Sequence, residues 1–272
     1  MPPSLQDKKT KLIQLLESFD RLAVALSGGV DSAVLLAEAC SVLGERVIAL
    51  TARSPIHPQR DVADAEKLAA QLGVPHLIVD SHEMDHADFL ANTRQRCYIC
   101  KKIIFRQLAE VAARRGFSTL AHGANADDLG DYRPGMKAAQ ELGVAAPLLE
   151  AGLSKADVRQ LASWRNLAVW NKPAMACLAT RFPYGTPITL ENLEQVRRAE
   201  AALESAGFQN CRVRCHGNVA RIELPPEHLP ALFTDPVRQR ILGQLREIGF
   251  VHIAADLEGY VCGSLNRSLN ND

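Results

Sequence analysis

The stretch RLAVALSGGVDSAVLLAEAC, residues 21–40, constrains the fold more than any other part of the 272-residue chain. A short apolar run, 21–26, breaks at Gly28-Gly29, and a helical pattern follows from Ser32 to Leu43. The rhythm then repeats. RVIAL leads to Thr51, a helix is expected near Val62–Leu72, HLIVD reads as a strand, a helix runs from about Tyr98 to Arg114, and STLAHG is a further strand. This βαβα alternation predicts an α/β fold, a doubly wound parallel sheet whose ligands sit at the carboxyl ends of its strands.

After Lys155 the rhythm changes. ITLENLEQVRRAEAALESAGF is a periodic helix with Thr189 as N-cap and Gly207 as stop. RVRCHGNVARIEL reads as a hairpin turning at His216-Gly217-Asn218, followed by a helix near Pro236–Ile248 and the strand FVHIAADL. Two domains are expected, residues 1–178 and a smaller α+β domain over 179–272.

Lys+Arg and Asp+Glu balance at 31 each, so nothing calls for a polyanionic partner such as nucleic acid. The N-terminus, MPPSLQDKKTKL, has no apolar signal core, and no run reaches membrane-spanning length. A cytoplasmic protein is expected. Its seven cysteines then read as reduced thiols rather than a disulfide framework, with Cys40 and Cys211 suited to the core.

SGGVDS, residues 27–32, offers backbone N–H groups at the positive end of a helix, and Gly28 and Gly29 permit positive φ and the close approach of an anion. Ser27 and Ser32 bring hydroxyl donors, and Asp31 can cap the helix or hold a phosphate-bridging metal ion. No Walker lysine and no GxGxxG is present. The hexapeptide resembles the signature of the ATP pyrophosphatase, or PP-loop, superfamily. That resemblance implies cleavage of ATP between its α- and β-phosphates, adenylation of a substrate, and a loop that holds the departing pyrophosphate. Thr51 and Gly123, at the ends of two further strands, are then expected beside ATP, and Asp31 beside Mg2+. The acids of HGANADDLGDYRPG, Asp127, Asp128 and Asp131, read as metal or hydrogen-bond partners or, more plainly, as a solvated capped loop.

RCYICKK sets Cys97 and Cys100 at i, i+3 near a helix start, on one face and beside Arg96, Lys101 and Lys102, surroundings that favour thiolates. A redox pair and two buried small residues are the plainer readings. Zinc normally takes four ligands, and no second CxxC supplies them. Three thiolates, Cys97, Cys100 and Cys177, would suit a 4Fe-4S cluster with one iron left open. Arg212 and Arg214 alternate along a strand about 6.6 Å apart, either as a fork for phosphate or carboxylate or as a solvated face paired with Glu223.

ALSGGVDSAVLL, RCYICKK, HGANADDLGDYRPGMKAA, KPAMACLATRFPYGTPIT, RVR…ARIEL and DLEGY..GSLN follow one another in an order that resembles the LarE family over nearly the whole chain. These are ATP-dependent sulfur transferases of nickel-pincer nucleotide biosynthesis. The resemblance implies adenylation of the carboxylates of pyridinium-3,5-biscarboxylate mononucleotide, with sulfur then displacing AMP to form thiocarboxylates. It implies one of two fates for Cys177. In one branch the matching cysteine gives up its own sulfur and becomes dehydroalanine; in the other, three cysteines hold a 4Fe-4S cluster fed by sulfide or another sulfur donor. Cys97 and Cys100 make this chain resemble the cluster branch. Arg181, Glu200, Arg212 and Arg214 match positions lining the substrate pocket, so the second domain is expected to bind substrate and to form a homo-oligomer. One departure stands out: Tyr260 is followed by Val261-Cys262, where family members carry an arginine.

Two rivals from other classes remain. A PP-loop tRNA thiolase would also carry three cysteines, yet the balanced charge and the lack of an added RNA-binding domain argue against it. An ATP-binding regulatory module would leave Cys97, Cys100 and Cys177 without a purpose.

Overall fold

Four apolar runs form the central sheet: β1 Leu22–Ala25, β2 Val47–Arg53, β3 His76–Asp80 and β4 Thr119–Ala121. All neighbours are parallel, in the order β3-β2-β1-β4. Leu22, Ala23 and Val24 are fully buried, which is why β1 reads as a continuous apolar run instead of an alternating one. The chain steps outward from β1 to β3, then returns to place β4 on the other side of β1. The order therefore reverses between β1 and β4, and ligands of such sheets bind at the carboxyl ends beside that reversal. The α/β class expected from the alternation is the one observed. The computed structural model that shows this describes residues 3–130, 134–173, 176–261 and 263–269.

The chain divides into two units, Met1–Phe89 with Arg94–Met175, and Leu90–Thr93 with Ala176–Asp272. In the first unit, helices α1 (Leu5–Glu17), α2 (Val30–Leu43) and α3 (Gln59–Gln71) pack with the sheet around Leu16, Val24, Val34, Leu35, Leu148 and Leu161. The helix Lys155–Trp164 opens on a capping box between Ser154 and Asp157, and Lys8 of α1 ion-pairs with Asp157 at 2.6 Å. The cysteine helix starts at Arg96, two residues before the expected Tyr98, and so takes in Cys97.

The second unit carries the helix Leu190–Ser205, with Thr189 capping Asn192 N–H and Gly207 at φ +97° just past its end. Its sheet runs β5 (Arg212–His216), β6 (Val219–Glu223), β7 (His252–Ala255), with β5-β6 an antiparallel hairpin and β6-β7 parallel. The helix Val237–Ile248 makes that parallel crossover. Leu90–Thr93, read in sequence as part of the first domain, is bonded into this unit. Buried Asn92 donates from Nδ2 to the carbonyls of Pro183 and Thr186, both at 2.8 Å, and its own carbonyl accepts from Gly185 N–H. Among the described residues no helix is long and apolar enough to cross a membrane.

Candidate functional site

In the first unit, β1 hands over to α2 through residues 26–29, a short turn between a buried strand and a buried helix. Gly28 lies at φ +74°, and a Cβ there would sit 2.2 Å from the Asp61 carbonyl oxygen. Gly29 is extended (φ −93°) and is the N-cap of α2; a Cβ would meet nothing nearer than Ser27 Oγ, at 3.5 Å. Only one of the two glycines thus needs positive φ. The other leaves room at a helix N-terminus, where unpaired N–H groups and the helix dipole favour an anion.

The two serines of the loop differ in what they can offer. Ser32 is buried; its hydroxyl donates to Gly29 O and accepts from Ser27 N–H, both at 3.1 Å. With that proton committed, Ser27 Oγ must be the donor across the 3.1 Å between the two hydroxyls. Ser32 braces the loop, whereas Ser27 is exposed and its remaining lone pairs face solvent.

Asp31, in the first turn of α2, ion-pairs with Lys155 and accepts from Asn125 Nδ2 at 3.1 Å. Asn125 and its neighbours form a braced loop after β4. Asp128 accepts Asn125 N–H at 3.0 Å, Asn125 Oδ1 accepts Asp127 N–H at 3.0 Å, and Asp127 accepts Lys155 N–H at 2.9 Å. These two acids hold the loop as hydrogen-bond partners, and buried Asp128 does not fit a solvated loop, while Asp131 lies outside the described residues. Gly123 packs on the first turn of α2, where a Cβ would come 2.6 Å from Ser32 N. Its neighbour His122 stacks at a tilt on Phe105, centroids 5.4 Å apart, and burial with the charge of Lys101 pushes its pKa down to about 4. Thr51, buried at the end of β2, donates to Leu26 O at 2.7 Å and so accepts from His76 Nε2 at 2.8 Å. Its side chain ties β2 to the loop after β1.

The helix Arg96–Arg114 carries Cys97 and Cys100 in its first turn and a half, neither in a disulfide, Cys97 half-buried and Cys100 buried. The buried guanidinium of Arg96 donates from Nη2 to Cys97 Sγ at 3.9 Å. Gly135 packs close to Lys101 and the Cys97 carbonyl, holding the start of the helix against its neighbour Pro134–Glu141.

In the second unit, Cys177 is a partly exposed thiol outside any disulfide, just before the turn Leu178–Arg181. The fully buried Arg181 encloses it from the backbone side. Nη1 donates to Ala176 O (2.9 Å) and Cys177 O (3.2 Å), while Nε and Nη2 form a fork on Glu200 at 2.8 and 3.0 Å. Glu200 also accepts Val213 N–H at 3.0 Å, so the pair fastens the Cys177 turn to β5. Arg212 and Arg214 are both buried, so they are not a solvated strand face. Arg214 reaches Thr180 O at 2.7 Å and Glu223 at 2.8 Å; Arg212 reaches Cys211 O at 2.7 Å and lies 5.1 Å from the Tyr260 ring centre. Arg221, opposite Arg214 on β6, shares Glu223 and pairs with Asp256 at 2.8 Å. Among the described residues, the buried Nε groups of Arg214 and Arg221 have no acceptor. Such donors suit an incoming oxyanion. Cys211, behind this cluster, is pushed up to about 12 by burial and then by the nearby Glu200 and Glu204 charges, and Cys40 to about 11 by burial, as expected of core thiols. Cys262 lies outside the described residues.

Sequence reading passed over two lysines that reach the phosphate loop, Lys155 and Lys172. The Ser-x-x-Asp spacing of Ser154 and Asp157 is a local signal that could have found the helix carrying Lys155; nothing local points to Lys172.

The family model of NAD synthase matches residues 8–109. A pyridinium-3,5-bisthiocarboxylic acid mononucleotide synthase from Lactiplantibacillus plantarum is 38% identical over 98% of this chain and 96% of its own length. An uncharacterized protein from Synechocystis is 41% identical over 97% of this chain and 99% of its own. A tRNA-specific 2-thiouridylase from Treponema denticola is 33% identical, but over 38% of this chain and 32% of its own length.

Proposed function

Because the chain belongs to the family of pyridinium-3,5-bisthiocarboxylic acid mononucleotide synthases, the LarE family, we propose that it is an ATP-dependent sulfur transferase that turns pyridinium-bound carboxylates into thiocarboxylates. The observation that carries the ATP half is the strand–glycine–helix turn at the reversal of a parallel sheet, with Gly28 at φ +74° and open space over Gly29.

The chemistry follows from what a carboxylate lacks. Its leaving group would be oxide, so attack by sulfur fails until one oxygen is transferred into a better leaving group. Attack of a carboxylate oxygen on the α-phosphorus of ATP breaks the α–β bond, forms the acyl adenylate and releases pyrophosphate. Attack of sulfur on the acyl carbon then expels AMP. In this chain the N–H groups around Gly29 receive the pyrophosphate, the Ser27 hydroxyl can turn its one proton from Ser32 toward it, and the Lys155 ammonium beside Asp31 adds positive charge there. Asp31 keeps lone pairs beyond those used by Lys155 and Asn125, so it can also ligate Mg2+. Thr51 and Gly123 shape the nucleotide side. Arg212, Arg214 and Arg221 receive the anionic substrate, four guanidiniums with Arg181 standing against the three carboxylates Glu200, Glu223 and Asp256.

For sulfur we propose a 4Fe-4S cluster held by Cys97, Cys100 and Cys177. The donor chemistry fits: Cys97 and Cys100 stand one helical turn apart, Cys177 is partly exposed, and none of the three is in a disulfide. Among the described residues no ready-made group of three His, Cys, Asp or Glu stands in metal-binding geometry, so the donor chemistry alone carries this reading. Such a cluster, when bound, supplies an iron free of cysteine and hence a place for sulfide. The protein's own part is to present the thiols, with Arg181 holding both carbonyls that flank the Cα of Cys177. Sulfide or another donor, a reduced cytoplasmic setting and a homo-oligomer complete the proposal. The loop reading is tested by the products from ATP in the presence of pyridinium-3,5-biscarboxylate mononucleotide: AMP and pyrophosphate are expected, and ADP with orthophosphate would overturn it.

A further inference from the structure

Lys172 is exposed over only 11% of its side chain, and its ammonium spends all three protons inside the protein. One goes to Asp61 Oδ1 at 2.8 Å, one to Asp64 Oδ2 at 2.6 Å and one to the Gly28 carbonyl at 3.0 Å. Asp61 and Asp64 lie in the first two turns of α3, and the Asp61 carbonyl is the atom that forbids a side chain at Gly28. The phosphate loop is therefore packed against α3 and bolted there by a residue 144 positions away.

The bolt has a consequence for the anion site. The Gly28 carbonyl belongs to the same planar peptide as Gly29 N–H, and in a trans peptide the two point in opposite directions. Holding that oxygen toward Lys172 aims Gly29 N–H away from α3, out of the loop. Glycine has little resistance to a flip of this peptide, which would turn the carbonyl toward the phosphates and the N–H away. We propose that Lys172 is a positioning residue for pyrophosphate: by fixing the Gly28–Gly29 peptide it keeps the Gly29 N–H aimed at the departing phosphates. This rests on the ATP reading above and names a part of that site which sequence did not reveal.

The test measures the affinity of inorganic pyrophosphate and of AMP by titration calorimetry, together with the thermal midpoint. The proteins are wild type, Lys172→Met, Asp61→Asn/Asp64→Asn, and the triple variant. Lys172→Met should lose about tenfold or more in pyrophosphate affinity, the worth of one charge-assisted hydrogen bond, with AMP affinity held within about twofold. The triple variant, freed of two unpaired carboxylates, should regain thermal stability but not pyrophosphate affinity, and it serves in place of Lys172→Met should that variant not fold. The double variant should bind pyrophosphate as wild type does. Equal loss of AMP and pyrophosphate, no loss of either, or recovery of pyrophosphate affinity in the triple variant would overturn the proposal alone. A wild type that binds neither ligand would overturn the ATP reading with it.

Discussion

At the scale of single residues, the site combines groups kept neutral by their surroundings with donors left open. His122 belongs to the first kind. Its pKa, pushed to about 4 by burial and by Lys101, means that the folded chain binds this proton far less readily than the unfolded chain. Between its ordinary value of about 6.5 and the folded value, the unfolded state therefore carries more protons, and stability rises with pH. Acidifying through that window should remove up to about 3 kcal/mol, and below it the dependence should level off. Urea titrations of wild type and His122→Asn from pH 7 to pH 4 check this. The variant should show a shallower slope in that window; an unchanged slope would assign the acid sensitivity elsewhere. Arg214 and Arg221 belong to the second kind, each with a buried Nε that no group among the described residues accepts.

At the scale of elements, the two glycines of the loop should separate in their effects. Gly28→Ala forces a side chain at φ +74° against the Asp61 carbonyl and should destabilise the protein by about 1 kcal/mol or more. Gly29→Ala meets only Ser27 Oγ and should cost about 0.5–1 kcal/mol of stability, the margin by which glycine outranks alanine at an N-cap. Its methyl also enters the space meant for phosphate, so pyrophosphate affinity should fall by more than that small loss of stability explains. Equal effects of the two substitutions would contradict the assigned geometry. The sheet, the loop and the hairpin were legible in sequence because each is a local pattern: a short apolar run, a glycine pair, or two alternating strands around Gly217-Asn218. What failed to show was everything made by distant pairing. Lys172 on Gly28 and Asn92 on Pro183 join residues 144 and 91 apart. The Arg181–Glu200 fork likewise depends on a helix packing beside a turn, and no spacing along the chain encodes it.

At the scale of the whole molecule, the chain is two units with divided labour. One has the loop for ATP together with Cys97 and Cys100, the other the arginine cluster together with Cys177. A family likeness that covers both units, 38% identity over 98% of the chain, is what carries sulfur transfer beyond ATP use alone. The likeness to a tRNA thiouridylase reaches only 38% of the chain. The central claim is that sulfur passes through the protein without being taken from it. The measurement that reaches it most directly is the intact mass of the chain after anaerobic turnover with ATP, sulfide and pyridinium-3,5-biscarboxylate mononucleotide, read beside the amount of thiocarboxylate formed. The expected result is an unchanged mass with several sulfurs transferred per chain. A chain lighter by one molecule of hydrogen sulfide at position 177, with no more than one sulfur delivered, would contradict it and make Cys177 the donor.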